Sequence, residues 1–349
     1  MKTFRHFHWA LAGLLLFGLM QDPLQAQGPI RIRIGSVAPK DSLWHDVLKY
    51  LKQDWETISG GQVNVRIYEG GKLGDEAEMV KMVQARRIEA VGLSSVGLSR
   101  VDPSVACLQV PMMLRSYQEY DYVLERIGPR LEQALEAKGF KLLHWADAGW
   151  VRTFAKGPVR VPDDLRKAKL FTSAGDPESE RLYKEFGFQV YSLSMADMIP
   201  SLQTGMINAI NIPPLYALMN EAYRLVPNMT DVKWTPLAAG TVIDLRVWNS
   251  LPESFRAPML EAARRAGDRF RDAIRKMGED SILEMEKRGL KVLKPNDAEM
   301  DAWQREAEKT YPQLRGRYTP ADLFDEVLRL RDAFRESAAE NTIGRPAAK

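Results

Sequence analysis

Cysteine is almost missing from this chain: Cys107, in the apolar segment VACLQVPMML, is the only one. A single thiol closes no internal disulfide, so packing must hold the fold, and a thiol in apolar surroundings reads as structural rather than nucleophilic. Histidine is nearly as scarce. Of the four, His6 and His8 fall within the first 26 residues, leaving His45 and His144, which makes a histidine metal site or a Ser-His relay hard to assemble. An excess of one charge is lacking too. With 49 Lys and Arg against 46 Asp and Glu, nothing suggests a nucleic-acid partner, which calls for basic charge gathered on one face. No metal and no cofactor is expected. After the first twenty residues no window is apolar for long enough to cross a bilayer, which takes about 20 residues.

The start does carry one apolar run, from Trp9 to Met20, preceded by Lys2, Arg5, His6 and His8 and followed by Leu24-Gln25-Ala26. A basic start, a short apolar stretch and a small-residue site describe a cleaved signal peptide covering residues 1–26. A membrane anchor is the alternative, but the run is too short to span. No cysteine follows it, so a lipoprotein's acylation site is missing. The expected product is exported and soluble, and its remaining residues exceed one ordinary core, predicting two domains.

Period-2 alternation at Ile30, Ile32 and Ile34, and again at Val63, Val65 and Ile67, predicts two strands. Between them Trp44, Val47, Leu48, Leu51, Trp55 and Ile58 share one helical face, ended by Gly60-Gly61. Asp75 with Glu78, and Ser116 with Glu119, read as capping boxes of further helices. Ala90 to Ser94 is a short strand, and strands alternating with helices predict an α/β layer with parallel pairing. Gly92 to Gly97, GLSSVG, nearly matches a hydrolase nucleophile elbow, but neither Ser94 nor Ser95 has glycine at both flanking positions. Hydroxyls at a strand end suit a ligand-facing loop instead, and Ser95 is taken as a candidate contact. GGKLG lacks the Lys-Ser/Thr pair of a phosphate loop and reads as a turn.

A second α/β unit follows Gly149. Thr153 to Ala155 reads as a crossover strand, and Asp163-Asp164 as helix-start acids rather than a catalytic pair. Lys169 to Thr172, Phe188 to Ser192 and Met206 to Asn211 are strands. Asp176-Pro177 caps a helix, and another surrounds Asp197 to Thr204, with Pro200 in its first turn. Alternation at Val242, Asp244, Arg246 and Trp248 predicts a strand returning to the first unit. Pro252 to Arg288 is helical, interrupted only by Gly267 and Gly278, and about 55 Å long. Ser337 to Lys349 reads as a frayed, polar end.

Taken in order, GGKLGDEAEM, VPMMLRSYQEYDYVL, GWVRTF, VPDDLRKAKLF, SLQTGMINAINIPP and VWNSLPESFRAPMLEAA resemble the extracytoplasmic solute receptors of tripartite ATP-independent periplasmic (TRAP) transporters, over roughly residues 30–335. The resemblance implies a two-domain α/β clamshell braced by a long C-terminal helix, with the ligand between the domains and no bond broken. The expected division is 28–149 plus 238–275 for the first domain and 150–237 plus 276–335 for the second, with a flexible tail over 336–349. It also implies a periplasmic location, a small-molecule ligand and an ion-driven membrane permease as partner. For some divergent receptors it implies an outer-membrane helical-repeat partner. A permease-free carrier of lipids or other apolar ligands is the alternative.

Members of that family typically hold a carboxylate with an arginine at the end of a PxDLxGxKxR pattern. Here that position is Phe171, and the family's polar position before the double proline is Ile212, with Asn211 beside it. Arg152, in GWVRTF, is matched to a family arginine. An unpaired buried carboxylate costs several kcal/mol, on the order of a thousandfold in affinity. A largely hydrocarbon or aromatic ligand is therefore expected, its one polar head against Arg152, Trp150 or Asn211, with Trp44, Ser95 and Tyr216 completing the set. The alternative is that Phe171 is core and an anion sits elsewhere.

Overall fold

The structure, a computed structural model, describes residues 28–343, with side chains described through residue 338. The expected signal peptide over 1–26 lies outside the described residues, as does the end of the expected tail.

The chain opens with β1 (Ile30–Ser36), α1 (Leu43–Ile58), β2 (Val63–Tyr68), α2 (Glu76–Gln84), β3 (Ala90–Ser94) and α3 (Ser95–Val101). The hydroxyl of Ser42 accepts the His45 N–H to start α1, and the predicted face of Val47, Leu48, Leu51 and Trp55 is buried. The capping box at Asp75 is present. After a 3-10 turn over Pro103–Gln109 come α4 (Tyr117–Ala137) and β4 (Phe140–Trp150). The box expected at α4 is half formed. Ser116 accepts the Glu119 N–H, while the Glu119 carboxylate takes the Arg115 N–H and binds Arg335 instead.

The second unit runs β5 (Arg152–Ala155), α5 (Pro162–Arg166), β6 (Lys169–Ser173), α6 (Pro177–Glu185), β7 (Gln189–Leu193), α7 (Met198–Thr204), β8 (Ala209–Ile212), α8 (Pro214–Met219) and β9 (Asn228–Thr230). The chain then returns through β10 (Pro236–Asp244), α9 (Leu245–Ser250), α10 (Glu253–Lys287), β11 (Lys291–Leu293), α11 (Asp297–Leu314) and α12 (Ala321–Ile343).

Two sheets result, ordered β2-β1-β3-β10-β4 and β11-β9-β5-β8-β6-β7. They are mixed rather than wholly parallel: β10 runs antiparallel to β3 and β4, and β5 runs antiparallel to β8 and β9. Each is the middle of a lobe with its own buried core, Ile32, Leu51 and Trp55 in one, Phe154, Ile210 and Met229 in the other. Adjacent extended segments join the lobes. Val151 N–H donates to Thr235 O at 2.9 Å and Trp234 N–H to Val151 O at 3.2 Å, so the outgoing and returning chains are zipped where they cross.

Helix α10 is continuous for 35 residues, about 52 Å at 1.5 Å each. Its Phe270 and Ile274 pack on Val47 of the first lobe, and its Ile282 and Met285 enter the core of the second. Gly267 does not interrupt the helix. A Cβ there would lie 2.7 Å from Trp145 O and 2.8 Å from His144 Nδ1, so the missing side chain lets α10 press on β4.

Several expectations change. The strand expected from Met206 begins at Ala209, leaving Met206 half exposed. The strand expected through Trp248 stops at Asp244, whose carboxylate accepts the Arg246 and Val247 N–H groups and starts a helix. Helix α12 packs Phe324 and Val327 on Val123, Ile127 and Leu131 of α4. The expected tail from 336 is helical through Ile343.

Candidate functional site

A cavity of about 330 Å³ lies between the lobes, at the C-terminal ends of β1, β3, β6 and β8. Open α/β sheets bind ligands at such strand ends, and the volume falls within the usual range for small-molecule sites.

Five of the eight expected residues meet there: Trp44, Phe171, Asn211, Ile212 and Tyr216. Trp44 is anchored by its indole N–H, which donates to Asp147 O at 3.0 Å, and its ring faces Tyr216 across the lobes at 6.4 Å. Asn211 already has both ends of its amide engaged. Its oxygen accepts Thr153 Oγ1 at 2.9 Å and its nitrogen donates to Tyr183 Oη at 3.1 Å. It therefore fixes β8 to β5 and α6 before any ligand arrives.

Arg152, Trp150 and Ser95 do not line this cavity. Arg152 is 1 % exposed and turned toward α10, its Nε 3.1 Å from Asp231 and Nη2 3.7 Å from Glu279. The reason is strand parity: neighbouring residues in an extended chain face opposite sides, and it is Val151 that faces the cavity. Trp150 is buried against Tyr117 with its ring 5.8 Å away. Ser95 is buried behind Ser94, and the Ser94 side is the one on the cavity wall.

The walls carry more acid than base. Asp75, Glu76, Asp176 and Glu306 line the cavity, whereas Arg100 is the one Lys or Arg among the described lining residues. Glu306 is neutralised by Arg166 and Lys309. Glu76 stitches α2 to the next turn: its oxygens accept Ser94 N–H at 2.6 Å, Ser94 Oγ at 2.7 Å and Gly97 N–H at 2.9 Å. Burial nevertheless raises the Glu76 carboxyl above its ordinary range, those hydrogen bonds opposing it. Burial likewise raises Asp176, which caps α6 by accepting Ser179 N–H and Oγ at 3.1 and 2.6 Å. At the lip Met195 N–H reaches Asp75 Oδ1 at 3.3 Å, a direct contact between lobes. His144, also on the wall, is neutral: burial pushes it down to about 4.

Sequence reasoning missed Val151, Asp176 and Arg100 as wall residues. Period-2 parity at GWVRTF carried the signal for the first. For Arg100 it lay in helical spacing, since Val96, Gly97 and Arg100 share the cavity face of α3.

The model of the DctP family, described as bacterial extracellular solute-binding protein, family 7, matches residues 34–316. The chain belongs to that family. It is accordingly a solute receptor and not an enzyme. The Escherichia coli 2,3-diketo-L-gulonate-binding periplasmic protein YiaO is 23% identical over 287 residues, covering 81% of this chain and 85% of YiaO. The Bacillus subtilis C4-dicarboxylate-binding protein DctB is 21% identical over 279 residues, 78% of each chain. Among solved structures, a TRAP periplasmic solute binding protein of Ralstonia eutropha with bound (S)-2-acetolactate superposes with a TM-score of 0.82 at 20% identity, covering 87% of this chain and 99% of the other. That likeness bears out the two-lobed α/β fold with its long C-terminal helix.

Proposed function

We propose that this DctP-family receptor works in the periplasm, closes around a largely apolar or amphipathic small molecule, and delivers it to the membrane subunits of a TRAP-type secondary transporter. The observation that supports this most is the identity of three wall residues. Val151, Phe171 and Ile212 put hydrocarbon on the cavity, and Arg152 is committed to Asp231 and Glu279 behind it. The names of the relatives and of the solved structure above speak of acids, and such guests need paired cations. Here one cation, Arg100, faces Asp75, Glu76 and Asp176, with Glu306 already paired, so a dicarboxylate would be buried against net negative charge. The permease-free carrier draws no support from the family match, and no described surface argues for an outer-membrane helical-repeat partner.

Native mass spectrometry of the purified protein, followed by solvent extraction, tests the proposal. A bound molecule that is mainly hydrocarbon or aromatic, with at most one acidic group, is the expected result. A copurified hexuronate or short dicarboxylate would overturn it.

A further inference from the structure

A second and much smaller cavity lies across the crossover strand from the first, where both lobes meet the brace helix. Tyr117 of α4, Trp150 of β4, Arg152 of β5, Leu215 of α8 and Glu279 of α10 are among its walls. Its volume is about 10 Å³, room for a single water molecule. Two donors of its wall residues are unpartnered. Trp150 Nε1 and Arg152 Nη1 are buried and have no hydrogen-bond partner among the described residues, in side chains that are 2 % and 1 % exposed.

The two residues are neighbours for a reason independent of the cavity. They stand two apart in an extended segment, about 6.6 Å along it, so both face the side that Val151 does not. The other arginine nitrogens are accounted for, Nε at 3.1 Å from Asp231 and Nη2 at 3.7 Å from Glu279. The Trp150 ring is 5.8 Å from that of Tyr117.

We propose that this cavity is a hydration site for one water molecule, which accepts from Trp150 Nε1 and Arg152 Nη1, donates to the Glu279 carboxylate, and so ties the crossover to the brace helix. Cavities that stay dry are lined by hydrocarbon, and buried donors are nearly always partnered. In a dry cavity both donors, one of them charged, would carry their full desolvation cost. An anion also accepts two N–H groups. The Arg152 charge, however, already meets Asp231 and Glu279, and a further negative charge would be buried beside the second of these. An ammonium ion has nothing to accept with. Water accepts twice and keeps two protons, for which Glu279 is the acceptor on the wall. That side chain is half exposed, which gives solvent its way in.

The position bears on movement. Trp150 and Arg152 flank Val151, whose N–H and C=O are both held by the returning chain at Thr235 and Trp234. A water bridge is enthalpically nearly as good as a direct bond, and each of its links can turn. Helix α10 can then slide against the crossover as the lobes move, without stranding either donor. The site does not depend on what the receptor carries.

Crystals of the purified wild-type protein, grown with sodium bromide and diffracting well enough to show ordered waters, test this. The expected result is one peak of a water's electron density within hydrogen-bond reach of both Trp150 Nε1 and Arg152 Nη1, with no anomalous signal at the bromine edge. An empty cavity, or a peak with bromine's anomalous signal, overturns the assignment. In solution, protein labelled with isotopic tryptophan should show magnetisation transfer between water and the Trp150 indole proton, with the sign of a long-held water. Loss of that signal in Trp150→Phe identifies it. Glu279→Ala changes a half-exposed side chain and should shorten the water's stay enough to reverse the sign. Transfer that is absent in wild type, or unchanged in Glu279→Ala, overturns the bridge.

Discussion

Arg152 shows how much hangs on one residue of strand parity. Arg152 and Val151 are adjacent in GWVRTF, and only Val151 meets the cavity. Removing the buried guanidinium should therefore be felt in stability and not in ligand affinity. Arg152→Met is expected to cost roughly 1–3 kcal/mol, the scale of hydrogen bonds to charged groups, read by urea denaturation. A large affinity loss without destabilisation would return Arg152 to the site. His144 makes a second prediction at this scale. It is buried and neutral, with Nε2 2.9 Å from Thr241 Oγ1 and its pKa pushed down to about 4. As pH falls, the unfolded chain protonates this group first, near 6.5. Its contribution is thus fully present above about pH 6.5 and is lost toward pH 4, by up to about 3 kcal/mol. His144→Gln should flatten that part of the stability profile relative to wild type, and an equal slope in both proteins would contradict the assignment.

Elements whose reasons are local were legible in the sequence, and those whose reasons are distant were not. Asp75 and Asp176 cap the helices expected of them, because a cap needs only the next three residues. The strand expected through Trp248 failed on a similarly local signal that was overlooked, the capping carboxylate of Asp244. The antiparallel insertion of β10 and the packing of α12 on α4 depend on partners a hundred or more residues away, which no periodicity reveals. In the site, Phe171 and Ile212 were readable as departures from a motif. Arg100, Val151 and Asp176 needed the sheet register and the facing lobe. Helix α10 offers a contrast between its two glycines. Gly267→Ala must push a methyl against Trp145 O and should destabilise by roughly 1–3 kcal/mol. Gly278 has nothing within 4 Å of a built Cβ, so Gly278→Ala should stabilise by about 0.5–1 kcal/mol through helix propensity. Thermal denaturation of the pair checks both, and equal effects would mean that α10 does not press on β4.

At the scale of the molecule, two lobes with separate cores share a zipped crossover and one bracing helix. Contacts across the lip include Met195 with Asp75 and Trp44 with Tyr216. An interface of this kind is expected to open and close at the crossover, leaving both cores intact. X-ray scattering should show a smaller radius of gyration with ligand than without, and superimposable curves would argue against hinge closure. The central claim, that hydrocarbon has replaced paired charge on the cavity wall, is tested most directly by titrating wild type and Phe171→Arg with octanoate and with succinate in a calorimeter. The account predicts saturable binding of octanoate and none of succinate by wild type, and a gain of succinate binding from the new arginine. Tight, saturable binding of succinate by the wild-type protein would contradict it.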